Sequence, residues 1–437
     1  MIIKKSPQKI AYGLALIFCF ISILLIYAVF DREHYTSLDL STFLYLSGKS
    51  AGVIGFLFLS ILIFSGDTAR FFDGFLGMDR IIKFQRKFSY ITLLFILLHP
   101  IFFMIDSKSV LPFLIPDFSV IPLALGTISL YLYCIIIISS KFYKRISYNA
   151  WQYIHILSYL LFGFSIYHAS QISSDLHHIA VQALFVISTI MILVGIIYRA
   201  RHKIMKRFSP KFYVKEIKKE AGNTFTLVLK SDKIFSYEAG QFCFLQLRKN
   251  KLHARHPFTV ANAPNKNELR FTVKMTGNFT KALSELKTDD EVIVEGPFGV
   301  FTVNELEKNL VFIAGGVGIT PFMSIIEDKL QKNNSQKITL LYSSKTVGDI
   351  ILKDRLDAIK ADWFKKAYVI TNENIDPNME SFESGRINLA VIKKYVENVE
   401  NSLFYICGPE SMKNNVEIIL HNLGVKKDMI IVEDFFW

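Results

Sequence analysis

Six apolar stretches, each close to the length of a membrane-spanning helix, occupy most of the first 198 residues of this chain. They lie at residues 10–30, 50–66, 84–105, 121–138, 151–168 and 179–198. About 20 apolar residues of helix cross the hydrocarbon core of a bilayer, so the stretches predict an all-α bundle of six transmembrane helices. Residues 199–437 have the composition of a water-soluble protein. The sequence therefore predicts a multi-domain membrane protein with a membrane half and a soluble half.

Basic residues are distributed unevenly between the loops of the membrane half. The segments 1–9, 65–87, 139–150 and 199–207 contain sixteen Lys and Arg residues, whereas the alternate loops contain only Arg32, Lys49 and Lys108. Positively charged loops remain in the cytoplasm. We therefore expect an integral protein of the inner or plasma membrane with its N-terminus and soluble half in the cytoplasm. The net charge of +12 then faces membrane lipid, and no nucleic acid is required to explain it.

Two other features exclude common alternatives. The four cysteines, Cys19, Cys134, Cys243 and Cys407, lack the spacing of metal ligands, and cytoplasm does not favour disulfides. Neither a disulfide framework nor an iron–sulfur cluster is indicated. The first apolar run is too long for a cleaved signal peptide and lacks a small-residue cleavage site, so we expect it to remain as a helix.

The soluble half changes its pattern near residue 308. Before that point it contains the β-type segments FYVKEI, TFTLVLK, QFCFLQL, HPFTVANAP, LRFTVKM and EVIVEGPFG, whose spacing predicts a small antiparallel β-barrel. After it, strand and helix alternate from LVFIAGGVGITPFMSIIEDKL onwards, which predicts an α/β domain with a parallel nucleotide-binding sheet. The expected domains are residues 1–205 for the helical bundle, 206–303 for the barrel and 304–437 for the α/β domain.

A glycine turn separates the first strand and helix of the α/β domain. Gly315, Gly316 and Gly318 let backbone amides approach a pyrophosphate at the N-terminus of the following helix, where the helix dipole favours anions. A tight turn that needs positive φ angles explains the same glycines. The turn alone is therefore not specific for a nucleotide.

Several short motifs occur in one order along the soluble half. They are His256-Pro257-Phe258-Thr259, Gly277-Asn278-Phe279-Thr280, Glu295-Gly296-Pro297-Phe298-Gly299, the glycine turn ending in Thr320-Pro321, Cys407-Gly408-Pro409 and a terminal aromatic residue. This order resembles the ferredoxin–NADP reductase superfamily. With membrane helices in front, the chain is similar to the ferric reductase and NADPH oxidase family from about residue 50 to its C-terminus.

The resemblance implies an FAD site on the barrel. Phe258 would lie against the flavin ring, Thr259 would offer a hydroxyl to its polar edge, and His256 and Pro257 complete the motif. An aromatic core residue in an ordinary strand is the alternative interpretation of Phe258. Residues Gly277, Asn278, Phe279 and Thr280 precede a predicted helix and would hold the flavin pyrophosphate. Lys274, on the preceding segment, is added to the cofactor-binding candidates.

The resemblance also implies a nicotinamide site. Cys407 would lie near the reacting carbon of the nicotinamide, and Gly408 and Pro409 would shape the cleft together with the glycine turn, Thr320 and Pro321. Trp437 resembles a terminal aromatic that covers the flavin until nicotinamide displaces it. Ser344 and Lys345 follow the second strand, where the family binds the 2′-phosphate of NADPH. Lys345 lacks the bidentate fork of arginine, so NADPH is favoured over NADH by a point charge only.

Histidines in the third and fifth apolar stretches are candidate haem ligands, because family members use opposed histidine pairs there to bind two b-type haems. His99 and His168 both lie towards the outer side and would form the outer pair. The inner pair contains His155 but has Gln85 opposite it, fourteen residues before His99 and within about 40° of the same helix face. Glutamine is a poor iron ligand, so one haem is expected and a second is left open.

The sequence thus predicts a flavohaem oxidoreductase that passes electrons from cytoplasmic NAD(P)H through FAD and haem b to an extracytoplasmic acceptor, ferric iron or oxygen. Two alternatives remain open. One is a haem-poor membrane scaffold or sensor whose electron path is interrupted at Gln85. The other is a flavin reductase that uses quinone or a periplasmic redox partner. The sequence identifies no protein partner.

Overall fold

The computed structural model describes residues 39–173, 178–205, 209–247, 255–264, 267–303, 308–333, 336–376 and 378–433. The chain divides into two compact units, Met1–Phe208 and Ser209–Trp437. The first predicted span, residues 10–30, lies outside the described residues, and so does the predicted flavin-covering residue Trp437.

Helices form the described part of the first unit. They are α1 (Leu40–Asp67), α2 (Ala69–Leu76), α3 (Met78–Ser107), α4 (Leu111–Leu114), α5 (Ile121–Lys141), α6 (Tyr148–Ile172) and α7 (Ile179–Met205). In this part of the chain, four helices are long and apolar enough to cross a membrane, namely α1, α3, α5 and α7. These four correspond to four of the predicted spans.

Helix α6 covers the fifth predicted span but is not one of the four, although it is 25 residues long. Polar side chains reduce its apolar character, namely those of Asn149, Gln152, His155, Ser158, Ser165, His168, Ser170 and Gln171. Six transmembrane helices therefore remain a prediction, since one helix is less apolar than expected and another lies outside the described residues.

Local capping and pairwise packing arrange these helices. Helix α1 begins before the predicted start at residue 50 because Asp39 caps it, accepting a hydrogen bond from the backbone N–H of Thr42 at 2.8 Å. Helix α1 packs against α3 and α7, and α5 packs against α6. The hydroxyl of Tyr133 on α5 donates to the backbone oxygen of Ser89 on α3 at 2.9 Å.

The second unit begins with all six predicted β segments. They form β1 (Phe212–Lys219), β2 (Thr224–Ser231), β3 (Phe242–Gln246), β4 (His256–Thr259), β5 (Glu268–Lys274) and β6 (Glu291–Phe298), with the helix α8 (Asn278–Ser284) between the last two. The strands make one antiparallel sheet in the order β4-β3-β6-β1-β2-β5.

This sheet is not a closed barrel, so the predicted barrel was wrong in that respect. Strands β4 and β5 form its two edges. The backbone N–H of Ala261, just beyond β4, donates to the carbonyl oxygen of Arg270 on β5 at 2.7 Å. Among the described strands no β4–β5 ladder extends from that bond, and Pro257 within the four-residue β4 has no N–H to contribute.

The remaining elements form the predicted parallel sheet. Its strands are β7 (Leu310–Gly315), β8 (Ile338–Ser344), β9 (Phe364–Ile370), β10 (Phe382–Ser384), β11 (Leu403–Cys407) and β12 (Ile430–Val432), and its helices are α9 (Thr320–Gln331), α10 (Lys353–Asp357), α11 (Leu389–Tyr395) and α12 (Glu410–Asn422). The strand order is β10-β9-β8-β7-β11-β12, and every described pair is parallel.

Within this unit, direct hydrogen bonds connect helix α9 of the parallel-sheet part to the chain that follows β4 of the antiparallel sheet. The hydroxyl of Ser324, on α9 and fully buried, donates to the carbonyl oxygen of Asn262 at 2.6 Å. The carboxylate of Glu327, one turn further along α9, accepts from the backbone N–H of Ala263 at 3.2 Å and pairs with Arg355. Helix α9 therefore fixes the position of the glycine turn relative to the antiparallel sheet.

Candidate functional site

Two loops that carry predicted nicotinamide-binding residues lie at one edge of the parallel sheet. Strand β7 ends at Gly315 and β11 ends at Cys407, which Gly408 and Pro409 follow. From β7 the sheet grows through β8, β9 and β10 in one direction, and β11 returns to the other side of β7. Open α/β sheets bind ligands in the crevice at the carboxyl ends of the strands where this direction reverses. The switch point therefore lies between Gly315 and Cys407.

Glycines allow the two loops to touch there. A Cβ atom on Gly318 would collide with the carbonyl oxygen of Cys407, and one on Gly315 would lie 2.9 Å from Sδ of Met412. A Cβ on Gly408 would lie 2.6 Å from Cε of the same methionine. The loops are thus packed backbone against backbone. Met412, which the sequence analysis missed, fills the space beside them.

The helix after the glycine turn begins where the sequence predicts it. Gly316 has φ of 55°, a left-handed conformation that favours glycine, and its carbonyl accepts from the Tyr342 hydroxyl at 3.0 Å. Thr320 opens α9, is buried and donates to the carbonyl oxygen of Val317 at 3.0 Å. Pro321 lies in the first turn, which tolerates proline. The N-terminus of α9 therefore follows directly on the turn, an arrangement that suits a pyrophosphate.

The predicted 2′-phosphate residues lie at the end of β8. Ser344 is buried, and its carbonyl accepts from the backbone N–H of Thr371 at 3.0 Å, whereas Lys345 is exposed. Close by in sequence, the backbone N–H of Val347 donates to the carboxylate of Glu373 at 2.8 Å. Lys345 would attract a 2′-phosphate and Glu373 would repel it. Glu373 could not be predicted from the sequence, because it is distant from Lys345 in the chain.

Three aromatic rings of the predicted flavin site lie nearly parallel. The centroids of the His256 and Phe279 rings are 4.0 Å apart at 28°, and those of Phe258 and Phe279 are 6.1 Å apart at 16°. Burial lowers the pKa of His256 below its ordinary value of 6.5, so this ring is neutral at pH 7. Thr259 is buried at the end of β4, and Pro257 lies within the strand. Parallel flat rings are suited to stacking with an aromatic ligand.

The predicted pyrophosphate turn is ordered by its own threonine. The backbone N–H groups of Thr276 and Gly277 donate to Oγ1 of Thr280 at 3.0 and 3.1 Å, and this hydroxyl donates to the Gly277 carbonyl at 2.9 Å. A Cβ on Gly277 would meet nothing within 4 Å, so there is open space at the start of α8, beside Asn278. Lys274 is exposed at the end of β5.

In the first unit, His99 and His168 come from different helices and lie close together. Their ring centroids are 6.1 Å apart and their planes are at 89°. His99 on α3 donates from Nδ1 to the Gly48 carbonyl of α1 at 2.8 Å, and His168 on α6 donates from Nδ1 to the Pro122 carbonyl of α5 at 2.8 Å. An imidazole protonated at Nδ1 has its lone pair at Nε2. That form binds metals, and a carbonyl partner at the other nitrogen is typical of metal-ligating histidines.

The spacing of the two rings fits one iron atom between them. Metal–imidazole bonds of about 2 Å on each side place the two nitrogens about 4 Å apart, and each ring centroid lies about 1 Å further away. The resulting separation of about 6 Å matches the 6.1 Å between His99 and His168. This separation is compatible with an iron atom between the two imidazoles, so His99 and His168 would be the residues to hold a haem.

A glycine lies against each of these imidazoles. A Cβ on Gly52 would be 2.6 Å from Nδ1 of His99, and one on Gly126 would be 2.5 Å from Nδ1 of His168. Each glycine follows the accepting carbonyl by one helical turn, so the same arrangement occurs twice. Neither glycine was predicted as part of the site, although small residues in apolar helices often mark close approach of another helix.

The third predicted metal ligand, His155, lies apart from this pair. Its Nδ1 donates to the carbonyl of Trp151 in its own helix at 2.9 Å, and its Nε2 is 3.1 Å from Oγ of Ser140. Among the residues that the structure describes, no cluster of three or more His, Cys, Asp and Glu side chains could hold a metal ion. The structure thus brings together two of the three predicted metal ligands.

Three family models match successive parts of the chain. Residues 51–166 match a ferric reductase like transmembrane component, residues 209–302 match an FAD-binding domain, and residues 312–417 match an oxidoreductase NAD-binding domain.

Curated relatives match the soluble half. One component of the Na(+)-translocating NADH-quinone reductase of Psychrobacter arcticus is 27% identical over 197 residues, which are 41% of this chain and 48% of the relative. Its counterpart of the same name in Neisseria meningitidis is 30% identical over 165 residues, 36% of this chain and 40% of the relative. The chain spans half or less of the length of these relatives.

Solved structures also match the second unit. The FAD/NAD-binding domain of a nitric oxide dioxygenase from Vibrio cholerae is 24% identical with a TM-score of 0.47, covering 52% of this chain and 98% of that domain. The cytochrome b5 reductase domain of Ulva prolifera nitrate reductase is 21% identical with a TM-score of 0.46, covering 52% of this chain and 97% of that domain.

Proposed function

We propose that this chain transfers electrons to a haem held by His99 and His168. The chain has the domain architecture of the ferric reductase and NADPH oxidase family and is an FAD- and NAD(P)-binding membrane oxidoreductase. From the haem the electrons pass to an acceptor beyond the membrane, ferric iron or oxygen. The paired imidazoles, 6.1 Å apart, are the observation that carries the proposal.

When bound, FAD would supply the exchange between a two-electron hydride donor and single electrons, and haem iron would supply one-electron chemistry. The protein's part is to hold the iron ligands ready. The carbonyls of Gly48 and Pro122 fix the Nδ1–H tautomer of each histidine, so both Nε2 atoms are available without loss of a proton. Gly52 and Gly126 leave room for the two rings in those orientations.

In the soluble unit, Phe258 offers a flat ring to the flavin, and the open turn at Gly277 receives its pyrophosphate. The neutral His256 stacks on Phe279 and keeps this platform rigid. Thr259 contributes a hydroxyl to the flavin edge, and Trp437 covers the flavin face when nicotinamide is absent. These roles follow from the resemblance and from the parallel rings.

Nicotinamide binds at the switch point, with its reacting carbon near Cys407 and its pyrophosphate over the N-terminus of α9. The close packing of Gly318 against Cys407 sets the depth of this cleft. NADPH is the proposed donor because Lys345 supplies a positive charge beside the 2′-phosphate position. Glu373 weakens that preference, so NADH is also accepted.

The soluble unit faces the cytoplasm in this proposal. Its support is the concentration of sixteen Lys and Arg residues in the segments on one side of the predicted spans. Electrons then move outward, which places a ferric chelate or oxygen on the extracytoplasmic side. The acceptor itself is not selected by any described side chain.

The difference spectrum of purified protein, dithionite-reduced minus oxidised, tests the proposal. We expect a low-spin b-type spectrum that His99→Ala and His168→Ala each abolish, because either change removes one axial ligand. His155→Ala is the matched control and should keep the spectrum. Unchanged FAD content and unchanged reduction of a soluble dye by NAD(P)H show that the variants fold. A normal spectrum in either axial variant contradicts the proposal.

Quinone is a second candidate acceptor. The relatives named as part of an NADH-quinone reductase are 27% identical over 197 residues and 30% identical over 165 residues, which favours quinone reduction directly from the flavin. Such a reaction would not need the histidine pair. Quinone reduction that persists in His99→Ala would therefore favour this candidate, and loss of the activity would favour passage through haem.

A further inference from the structure

The inner position of the helical unit is the place between Gln85 and His155 where the family resemblance implies a second haem. It repeats the sequence spacing of the His99–His168 site but not its ligand chemistry. Gln85 lies fourteen residues before His99 on α3, about 21 Å along the axis and close to the same face. Gly66 lies fourteen residues after Gly52 on α1. A Cβ on Gly66 would be 3.7 Å from Nε2 of Gln85. Gln85 thus lies against Gly66 as His99 lies against Gly52.

The side chain of Gln85 is bound within the protein. Its Nε2 donates to Oγ of Ser65 on α1 at 3.2 Å. An amide has a weak lone pair compared with imidazole, and this amide is fixed beside α1 by its hydrogen bond. The inner position therefore lacks a nitrogen ligand on the α3 side.

His155 on α6 is not available on the opposite side. Its Nδ1 donates to the carbonyl of Trp151, whose ring lies 4.0 Å away centroid to centroid, and its Nε2 faces Ser140 at 3.1 Å. Ser140 lies fourteen residues after Gly126 on α5, so a serine is found at the inner position where a glycine is found beside His168. By contrast, Nε2 of His168 has no hydrogen-bond partner among the described residues. Both ring nitrogens of the inner histidine thus have a polar atom within hydrogen-bonding distance, and the Ser140 hydroxyl also lies 2.9 Å from the Ile136 carbonyl.

A charged cluster lies beside this position. The hydroxyl of Tyr159, one turn from His155 on α6, donates to the carboxylate of Asp67, with distances of 2.7 and 2.8 Å to its two oxygens. Arg199 on α7 donates from Nη1 to Asp67 and to the Tyr159 oxygen, at 3.2 Å each. The side chain of Asp67 is only 4% exposed, and Gly195 lies against it, since a Cβ there would be 3.2 Å from its Oδ2.

This cluster is unsuited to a neighbouring porphyrin. A haem carries two propionates that need cationic partners, and Arg199 is already paired with a carboxylate. Asp67 directly follows Gly66, so at this position the charge of Arg199 is balanced by a protein carboxylate and is not left for a propionate. A buried charge in a membrane helix is stable when it is paired in this way.

We infer that the inner position is a hydrogen-bonded protein cluster, Asp67–Tyr159–Arg199 with Gln85 and His155, and that the chain holds one haem, at His99 and His168. This inference rests on the proposed function. It departs from the two-haem arrangement that the family resemblance implies, because neither inner ligand is free to bind iron.

The haem-to-FAD ratio of the full-length protein, measured by pyridine haemochrome and by released flavin, tests the inference. We expect a ratio of one and a single one-electron component in a spectroelectrochemical titration. A ratio of two overturns the inference and leaves the proposed function intact. A ratio of zero overturns the proposed function itself, so the two failures are distinguishable.

A variant tests why the second haem is absent. Gln85→His supplies an imidazole opposite His155, and Gln85→Phe is a matched control with a ring of similar size and no ligand. We expect a ratio of one in both variants, since His155 remains bound to Trp151 and Ser140. A doubling of bound haem in Gln85→His alone would overturn the inference, because it would show an inner cavity shaped for a porphyrin.

Discussion

Substitution of Gly126 by alanine should weaken haem binding without touching an iron ligand. The new Cβ would lie 2.5 Å from Nδ1, 2.7 Å from Cε1 and 3.1 Å from Cγ of His168. Ordinary contacts begin at 3.4 Å, so the ring must move by about 0.9 Å away from α5. Gly126 and the Pro122 carbonyl belong to the same helix. The same movement therefore lengthens the 2.8 Å hydrogen bond from Nδ1, by at most about 0.9 Å, and weakens or breaks it.

The magnitude follows from the loss of that bond. Removal of the partner that orients a metal-ligating histidine costs about 10- to 100-fold in metal affinity, or roughly 1.4 to 2.8 kcal/mol. Overpacking of a well-packed helix contact costs about 1–3 kcal/mol, a similar amount. We expect haem affinity of Gly126→Ala to fall by this factor. Gly52→Ala, whose Cβ would lie 2.6 Å from Nδ1 of His99, should behave alike.

The assay is titration of haem into haem-depleted protein, followed by the Soret band. Gly163→Ala is the matched control, because it lies on the same helix as His168 and its Cβ would meet nothing within 4 Å. The control should bind haem as the parent does. Full affinity in Gly126→Ala, or an equal loss in Gly163→Ala, would refute the role given to the glycine.

Three further predictions concern the soluble unit. Gly318→Ala forces a Cβ against the Cys407 carbonyl and should raise the KM for NAD(P)H by roughly 5- to 100-fold. The control Gly348→Ala, whose Cβ would make only a 3.9 Å contact, should leave the KM unchanged. Equal KM values in the two variants would contradict the close packing at Gly318. Burial lowers the pKa of His256 in the folded state. The contribution of neutral His256 to stability should therefore be complete above pH 6.5 and fall as the pH drops below that value. An identical pH dependence of Tm in the parent and in His256→Gln would contradict this. Lys345→Ala should raise the KM for NADPH roughly tenfold and leave that for NADH unchanged, as steady-state kinetics with both donors would reveal; a parallel change in both would exclude a role at the 2′-phosphate.

The elements of the soluble unit could be predicted because their signals are local. Alternating apolar residues and turn residues indicated six strands, and the glycine turn between β7 and α9 marked the start of the parallel sheet. The open edges of the first sheet could not be predicted, since closure depends on register between β4 and β5. Pro257 has no backbone N–H to donate to a neighbouring strand, and this was the sequence feature that indicated an open edge at β4.

The surroundings of the proposed haem ligands depend on contacts between distant parts of the chain. His99 and Gly48 are 51 residues apart, and Asp67 and Arg199 are 132 apart. A histidine in an apolar helix signals a functional site from sequence alone. Its carbonyl partner and the glycine beside it become visible only when the neighbouring helix is in place. Asp67 gave a comparable signal, because it is an acidic residue at the end of an apolar helix. Its partners Tyr159 on α6 and Arg199 on α7 could not be identified from the sequence.

Electron transfer across a sealed membrane tests the central claim most directly. Vesicles with the soluble unit outside would enclose a membrane-impermeant ferric chelate, and NADH or NADPH would be added outside. We predict that enclosed ferrous iron appears with the parent and with His155→Ala, and that His99→Ala abolishes it while outside dye reduction continues. Ferrous iron that forms inside at the same rate in His99→Ala, or none inside with a haem-loaded parent, would contradict the account.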